Sequence, residues 1–152
     1  MTSSAVRPKQ FTFPVAVEWL GGRRVLSLVD GKPGIETVPP PVFRGTDLHA
    51  WSPEDFFVAA AASCLAITFT GLVERAGIVL ASLHVDDDGT CGTRVDGRFG
   101  FTAVRLKLRA VVPAGDVEAA ERLAAKAEAD CLVAASLSLP VTIEIDVRGG
   151  SD

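Results

Sequence analysis

The chain has 152 residues, of which 48% are hydrophobic and 22% are charged. These values are typical of globular proteins, so they exclude a disordered chain and a collagen-like polymer. Fifteen Lys and Arg against nineteen Asp and Glu give a formal charge of −4. With no basic block, that balance argues against nucleic acid or an anionic membrane as a partner. The length suits one domain, and we expect a single domain over residues 1–152.

The N-terminal residues and the cysteines limit the compartment and the chemistry. Residues 1–10 have no apolar segment of the kind found in a signal peptide, so a cytoplasmic location is the default expectation. Three cysteines stand at positions 64, 91 and 131, without a C-x-x-C pair, and there are only two histidines. This pattern predicts neither a disulfide framework nor a zinc site, and we expect no cofactor. Any chemistry of the cysteines would be that of thiols.

The first third of the chain reads as short antiparallel strands. Apolar and polar residues alternate over 11–19, which predicts a half-buried strand, and Gly21-Gly22 turns the chain into a returning strand over 24–29. A third short strand is expected over 35–38. Residues 39–51 are predicted to be a loop, because three consecutive prolines remove backbone donors.

A long helix is predicted over residues 53–76. Ser52 is a good N-cap, Pro53 suits the first helical position, and Gly77 can end the helix. The charge-free stretch 56–73 has 18 residues, the lower limit for a membrane span, but its small residues and charged flanks favour a buried central helix. At about 36 Å, this helix is too long and apolar for one small sheet to cover. We therefore expect a second copy of the chain to cover it, in an intertwined homodimer.

The second half of the chain predicts more strands and one further helix. Strands are expected over 79–86 and 99–112, with a turn at Asp87-Asp88-Gly89 between them. A second helix, capped by Asp116 and running to about Asp130, is followed by a short helical turn over 131–137. The last strand is expected over 141–147. The fold class is therefore α+β, with antiparallel sheets, a long central helix and a second helix.

Cys64 and Cys131 are the candidate reactive groups. Cys64 lies in the middle of the long helix, and Cys131 lies where the second helix ends. For either residue alone, a small buried hydrophobic side chain is the commoner role of a free cysteine. Cys91, flanked by glycines, is expected to be incidental.

The run from Trp51 to Cys64, WSPEDFFVAAAASC, resembles the signature of the OsmC/Ohr family. The resemblance extends in the right order from about residue 11 to 147. Its further marks are Trp19 before Gly-Gly-Arg, Arg-Ala-Gly at 75–77, Cys131, and Ser-Leu at 136–137. It implies a cytosolic, intertwined α+β homodimer that reduces organic hydroperoxides with two cysteines. The reductant it implies is an external dithiol of the lipoyl type.

The resemblance also implies roles for individual residues. Cys64 matches the peroxidatic cysteine and Cys131 the resolving cysteine. Glu54 matches a carboxylate that pairs with an arginine close to the reactive thiol. Arg23 is the best candidate for that arginine, and Arg24 is the neighbouring alternative. Where the family commonly has proline after the second cysteine, this chain has Leu132.

Helix geometry adds a constraint on Glu54. Ten residues of straight helix separate it from Cys64 by about 15 Å, too far for both to contact one arginine. Either the start of the helix bends, or Glu54 serves the Cys64 of the partner subunit. We favour the second arrangement; a plain first-turn carboxylate, favoured by the helix dipole, is the alternative.

The sequence therefore predicts a thiol peroxidase for organic hydroperoxides that acts in stress defence. Phe56, Phe57 and Phe69 would favour bulky organic peroxides over hydrogen peroxide. The alternative is an OsmC-like protein that senses redox state or binds an apolar ligand, with little peroxidase turnover. A structural dimer with inert cysteines is a third possibility.

Overall fold

The computed structural model describes residues 9–150, which form two compact units that divide between Pro53 and Glu54. Each unit contains a three-stranded sheet. Strands and helices are both present, so the predicted α+β class is confirmed. The two candidate cysteines, Cys64 and Cys131, belong to the second unit.

The first unit is an antiparallel meander. Its strands are β1 (Ala16–Gly21), β2 (Arg24–Leu28) and β3 (Ile35–Thr37), in that order across the sheet. Gly21 and Gly22 adopt φ angles of 111° and 56°, which residues with a side chain rarely adopt, and they make the turn between β1 and β2. In the loop predicted over 39–51, a short 3-10 turn forms at Pro41–Phe43.

β1 begins later than the sequence predicts. Ala16 pairs with Leu28, the last residue of β2, and among residues 9–150 no strand pairs with residues 11–15. The alternating apolar side chains are 61–83% exposed rather than half-buried; they are Phe11, Phe13, Val15, Val17 and Trp19. Within one chain, this apolar face is uncovered.

The second unit begins with the long helix and ends with a strand. Its elements are α1 (Pro53–Arg75), β4 (Ser82–Thr93), β5 (Phe99–Pro113), α2 (Val117–Asp130), α3 (Leu132–Ala135) and β6 (Val141–Gly150). The strand order is β4-β5-β6. β4 pairs antiparallel with β5, but β6 runs parallel to β5. This corrects the expectation of purely antiparallel sheets, because α2 and α3 return the chain to the end where β5 began.

The core of the second unit joins its sheet to the helices. The inward residues of β5 are at most 2% exposed, as the alternation predicts; they are Val104, Leu106, Leu108, Ala110 and Val112. The buried side of α2 consists of Ala120, Ala124 and Ala127, whose small side chains let the helix backbone come close to its neighbours. Cys131 belongs to the same buried cluster.

Only one stripe of α1 is buried within the chain. It comprises Ala61, Leu65, Phe69, Leu72 and Val73, whereas Ile67 is 72% exposed. By length and composition α1 could cross a membrane, and 28% of its most apolar window is buried in the protein. A single chain therefore covers α1 only in part, as expected for one small sheet, and its cover by a second copy stays a prediction. Apolar side chains of α1, such as Ile67, remain exposed within the chain.

Candidate thiol active site

Helices α1, α2 and α3 position the two candidate cysteines. Cys64 lies in the middle of α1 and is half-buried. Cys131 joins α2 to α3, and its extended backbone, with φ −65° and ψ 104°, separates the two helices. Its side chain is fully buried. Because Cys131 is extended, α2 ends before it and a new helix, α3, begins at Leu132.

The two sulfurs meet although they are far apart in sequence. Both thiols are free, and the thiol of Cys131 donates a hydrogen bond to the sulfur of Cys64. Both residues also pack in one hydrophobic cluster. The second unit therefore holds a preformed pair of thiols.

Hydrogen bonds favour the ionised form of Cys64. Partial burial by itself would raise the pKa of this thiol. Against it, the backbone N–H of Val133, the thiol of Cys131, the backbone N–H of Leu132 and the hydroxyl of Thr68 all donate to the sulfur. The net result is a Cys64 pKa below the ordinary value, and a larger fraction of reactive thiolate at neutral pH.

Cys131 has the opposite tendency. Burial has the largest effect and raises the pKa of its thiol; the Ala134 N–H lowers it, the hydrogen bond and charge of Cys64 raise it, and the Val133 N–H lowers it slightly, with a net rise. Cys64 is therefore the group that ionises first, while Cys131 keeps its proton. The two thiols therefore differ in acidity, and Cys64 is the more acidic of the two.

The third thiol, Cys91, lies on β4 in a different environment. Burial and the negative charge of Glu54 raise its pKa. Of the three cysteines, only Cys64 has a pKa shifted toward reactivity.

Glu54 lies in the first turn of α1, on the same continuous helix as Cys64. Its Oε2 atom is buried and has no hydrogen-bond partner among residues 9–150. A buried carboxylate oxygen of this kind is rarely left unpaired in a native protein, so a donor beyond the described residues is expected for it.

The two candidate arginines, Arg23 and Arg24, differ in their ion-pair and hydrogen-bond partners. Arg24 forms ion pairs with Glu36 and, at 2.8 Å, with Asp47, which lowers the pKa of Asp47. Arg23 instead donates to backbone carbonyls, at 3.0 Å from Nη1 to Phe43 O and 2.7 Å from Nη2 to Arg44 O. Within the described range, Arg23 has no carboxylate partner. Its charge is therefore the less neutralised of the two, and its predicted role beside a thiol stays a prediction.

Sequence reasoning missed the donors around Cys64. Thr68 stands four residues after Cys64, so helical spacing alone could have identified it. The amides of Leu132 and Val133 carry no such signal, because their role depends on how α3 lies against α1. Phe69, expected near the substrate, is fully buried in the core, and Phe57 stacks on Phe101 at 4.2 Å between ring centroids.

A hydrogen-bonded thiol pair with opposite pKa shifts is typical of thiol-based redox proteins. Residues 45–146 match the family model described as OsmC-like protein, and the chain belongs to this family. A curated relative, the uncharacterized protein YmaD of Bacillus subtilis, is 22% identical over 138 residues, covering 88% of this chain and 91% of its own.

Solved structures share the fold. An OsmC-like protein of unknown function from Vibrio cholerae superposes with a TM-score of 0.81 at 21% identity, over 90% of this chain and 99% of its own. An organic hydroperoxide resistance protein from Elizabethkingia anophelis gives 0.72 at 21% identity, over 95% and 100%. The organic hydroperoxide resistance protein OhrB of Bacillus subtilis gives 0.61 at 20% identity, over 91% and 98%. The fold is thus shared with proteins named for resistance to organic hydroperoxides.

Proposed function

We propose that the protein is a thiol peroxidase that reduces organic hydroperoxides to alcohols. The observation that carries this proposal is the hydrogen-bonded pair of Cys64 and Cys131, in which Cys64 is the more acidic thiol. The structural likeness to organic hydroperoxide resistance proteins supports the substrate class.

The proposed reaction has three steps. The Cys64 thiolate attacks one oxygen of the peroxide bond, which breaks and releases the alkoxide, and a proton converts this to the alcohol. Cys64 is now a sulfenic acid. The Cys131 thiol condenses with it, forming the disulfide and one water. An external dithiol of the lipoyl type then exchanges with the disulfide and restores both thiols while it is itself oxidised.

Apolar surface beside the thiols suits an organic substrate. Leu132, directly after Cys131, is 69% exposed, and Ile67, one helical turn after Cys64, is 72% exposed. These side chains can contact the carbon chain of a hydroperoxide, a contact that hydrogen peroxide would not make.

We also propose that the working form is a homodimer in the cytoplasm. The uncovered apolar faces of α1 and of residues 11–19 support a second copy as their cover. In this dimer, Glu54 and Arg23 form an ion pair beside Cys64, and Glu54 serves the Cys64 of the other protomer. The unpaired Glu54 oxygen and the unneutralised Arg23 charge support that pairing. A cytoplasmic compartment suits a cycle that starts from two reduced thiols.

The test is peroxide consumption by the reduced protein. With cumene hydroperoxide and dihydrolipoamide, we expect multiple turnovers from the wild type and from Cys91→Ser, and none from Cys64→Ser. Without the dithiol, Cys131→Ser should consume about one equivalent and stop at the sulfenic acid, because Cys131 is no longer there to condense with it, whereas the wild type should stop at the disulfide. Peptide mass spectrometry of the oxidised wild type should show a link between residues 64 and 131.

Two results would reject the assignment. They are no peroxide loss with the wild type, or undiminished loss with Cys64→Ser. A disulfide that forms once, without turnover in the presence of the dithiol, would favour the redox-sensing alternative. A link through Cys91 would remove Cys131 from the mechanism.

A further inference from the structure

A cavity of about 300 Å³ in the first unit is lined by the turn that joins β1 to β2 and by the loop that follows β3. The turn contributes residues 21–24, and the loop contributes residues 38, 39 and 44–47. All of these residues belong to the first unit, so neither Cys64 nor Cys131 is among them. Small-molecule sites have volumes of about 300–1,000 Å³, so this cavity has room for a small ligand.

Positive charge is in excess around this cavity. Its lining contains one carboxylate, that of Asp47, and three guanidinium groups, those of Arg23, Arg24 and Arg44. Arg24 pairs with Asp47 at 2.8 Å and also with Glu36 on β3. Within the described part of the chain, Arg23 donates only to uncharged carbonyl groups, and Arg44 forms no ion pair. The carboxylate of the lining is thus already paired with Arg24, and the charge of Arg44 is not neutralised.

The backbone of Arg44 has an unusual conformation. Its φ of 65° and ψ of 30° lie in the left-handed region, where a residue with a Cβ atom is strained and glycine is favoured. Among residues 9–150, it is the one residue other than glycine with a positive φ. Strained backbone of this kind is concentrated at functional sites such as ligand clamps. The conformation of Arg44 thus points to a functional role independently of the charge around the cavity.

Hydrogen bonds hold the loop that carries Arg44. Its own N–H donates to the carbonyl of Pro41 at 2.9 Å, and the N–H of Gly45 donates to the carbonyl of Pro40 at 3.0 Å. From the turn between β1 and β2, Arg23 donates to the carbonyl of Arg44 at 2.7 Å. The backbone that carries the Arg44 side chain is therefore fixed before any ligand binds, which lowers the entropy cost of binding.

The chemistry of the lining indicates the class of ligand. A guanidinium group presents parallel N–H donors that match two oxygens of a carboxylate or a phosphate. The hydroxyl of Thr46, also in the lining, can donate to a further oxygen. A neutral ligand would leave the charge of Arg44 unpaired, so an anion with two or more oxygens fits the cavity best.

We propose that this cavity binds a small oxyanion, a molecule with a phosphate or a carboxylate group, and that Arg44 is the charged group that holds it. The proposed dimer uses the charge of Arg23 for Glu54, so Arg44 is the guanidinium group that stays available. The site uses neither thiol of the proposed peroxidase cycle, and it gives the protein a ligand that the cycle does not require.

The experiment follows the amide NMR spectrum of the reduced, isotope-labelled protein during titration with inorganic phosphate and, separately, with acetate at pH 7. Sodium chloride keeps the ionic strength constant, so a general effect of salt is excluded. Arg44→Asn removes the guanidinium group and introduces a residue that tolerates the left-handed conformation. Lys32→Gln is the matched control, because it removes one exposed positive charge of the same unit outside the cavity.

For the wild type we expect saturable shifts at the amides of Arg44, Gly45 and Thr46 with at least one of the two anions. Saturation by phosphate alone assigns the site to phosphate-bearing ligands, and saturation by acetate alone assigns it to carboxylates. Arg44→Asn should weaken the binding about tenfold or more, the effect of losing a charged hydrogen-bonded pair. Lys32→Gln should bind within about twofold of the wild type, because an exposed charge away from the site is screened by salt.

Three results would overturn the proposal. The first is that neither anion gives a saturable shift at these amides in the wild type. The second is that Arg44→Asn binds as the wild type does while its spectrum shows an intact fold. The third is that Lys32→Gln weakens the binding as much as Arg44→Asn, which would indicate attraction by the net charge rather than a site. Because the titration requires no peroxide, its outcome is separate from that of the peroxidase assay.

Discussion

At the scale of single residues, the reactivity of Cys64 depends on small donors around one sulfur atom. Among them, the N–H of Leu132 is the most informative. It belongs to the first residue of α3, where no helical carbonyl is available to accept it, and it donates to Cys64 instead. A proline at this position would have no N–H to offer.

Replacing Leu132 with proline therefore removes one donor while leaving the local backbone intact. Proline suits the first helical position, and Cys131 already has the extended conformation that a residue before proline adopts. The Leu132 side chain is largely exposed, so little packing is lost. We expect Leu132→Pro to raise the pKa of Cys64, and the pH profile of peroxide consumption to shift to higher pH.

The sign follows from the ionised form being the reactive one. Consumption rises with pH as Cys64 ionises, and a donor lost from the thiolate moves that rise upward, with about a tenfold lower rate at pH 7. Leu132→Ala, which keeps the N–H, is the control and should retain the wild-type profile. If the alanine and proline variants shift together, the side chain rather than the amide is responsible.

The resemblance in the sequence selected Cys64 and Cys131 as a pair; both pack in one hydrophobic cluster, and their redox roles stay a prediction. The i to i+4 spacing of side chains on a helix could have identified Thr68 as a neighbour of Cys64. The amides of Leu132 and Val133 could not be identified in this way, because a sequence does not state which backbone groups a distant sulfur will contact.

At the scale of elements, β4 shows how strand pairing overrides a local turn signal. The run Asp87-Asp88-Gly89 was predicted to end the strand, but β4 continues to Thr93 and pairs with β5 along its whole length. Asp88 forms an ion pair with Arg105 of β5 at 3.2 Å. The parallel pairing of β5 with β6 was predictable, since a strand, helix and strand in sequence favour that arrangement.

At Gly89 in β4, the neighbouring side chains leave no room for a Cβ atom. A Cβ added there would lie 2.6 Å from both Phe101 and Val58, and Phe101 is held by its stacking on Phe57. We expect Gly89→Ala to lower the free energy of unfolding by about 1–3 kcal/mol, through overpacking. Urea denaturation measures this.

Gly92 on the same strand provides the control. The nearest atom to an added Cβ there is 3.8 Å away, an ordinary contact. Gly92→Ala should therefore leave stability within about 0.5 kcal/mol of the wild type. Equal effects at the two positions would contradict the packing argument.

At the scale of the whole molecule, some groups of the candidate site belong to one chain, and others are proposed to come from a second copy. The thiol pair is complete within a single chain, whereas the buried oxygen of Glu54 finds no partner in residues 9–150. The proposed dimer assigns Glu54 to the Cys64 of its partner. Sequence reasoning could suggest that arrangement only from the length of the helix between the two residues.

Mixed dimers test this assignment. Co-expressed and doubly purified dimers of Glu54→Gln with Cys64→Ser should regain peroxidase activity, because one site then combines an intact Cys64 with an intact Glu54 from the other chain. Each variant alone should be inactive. If Glu54 acts within its own chain, the mixed dimer has no intact site and stays inactive.

Mixed dimers of Cys64→Ser with Cys131→Ser provide the matched control. These two cysteines meet within one chain, so no mixed dimer contains a complete pair, and turnover should not return. Recovery in this control would show that the sulfurs react across the dimer instead. Full activity of Glu54→Gln by itself would remove that residue from the mechanism.

The contact between Cys64 and Cys131 in the reduced chain has a consequence for signalling. Because the two thiols interact before oxidation, joining them should require little movement of the backbone, and the oxidised and reduced forms should have nearly the same structure. A sensor needs a segment that switches between two arrangements, so that a partner can distinguish them. A thiol pair of this kind is therefore suited to repeated cycles of oxidation and reduction, and poorly suited to redox signalling.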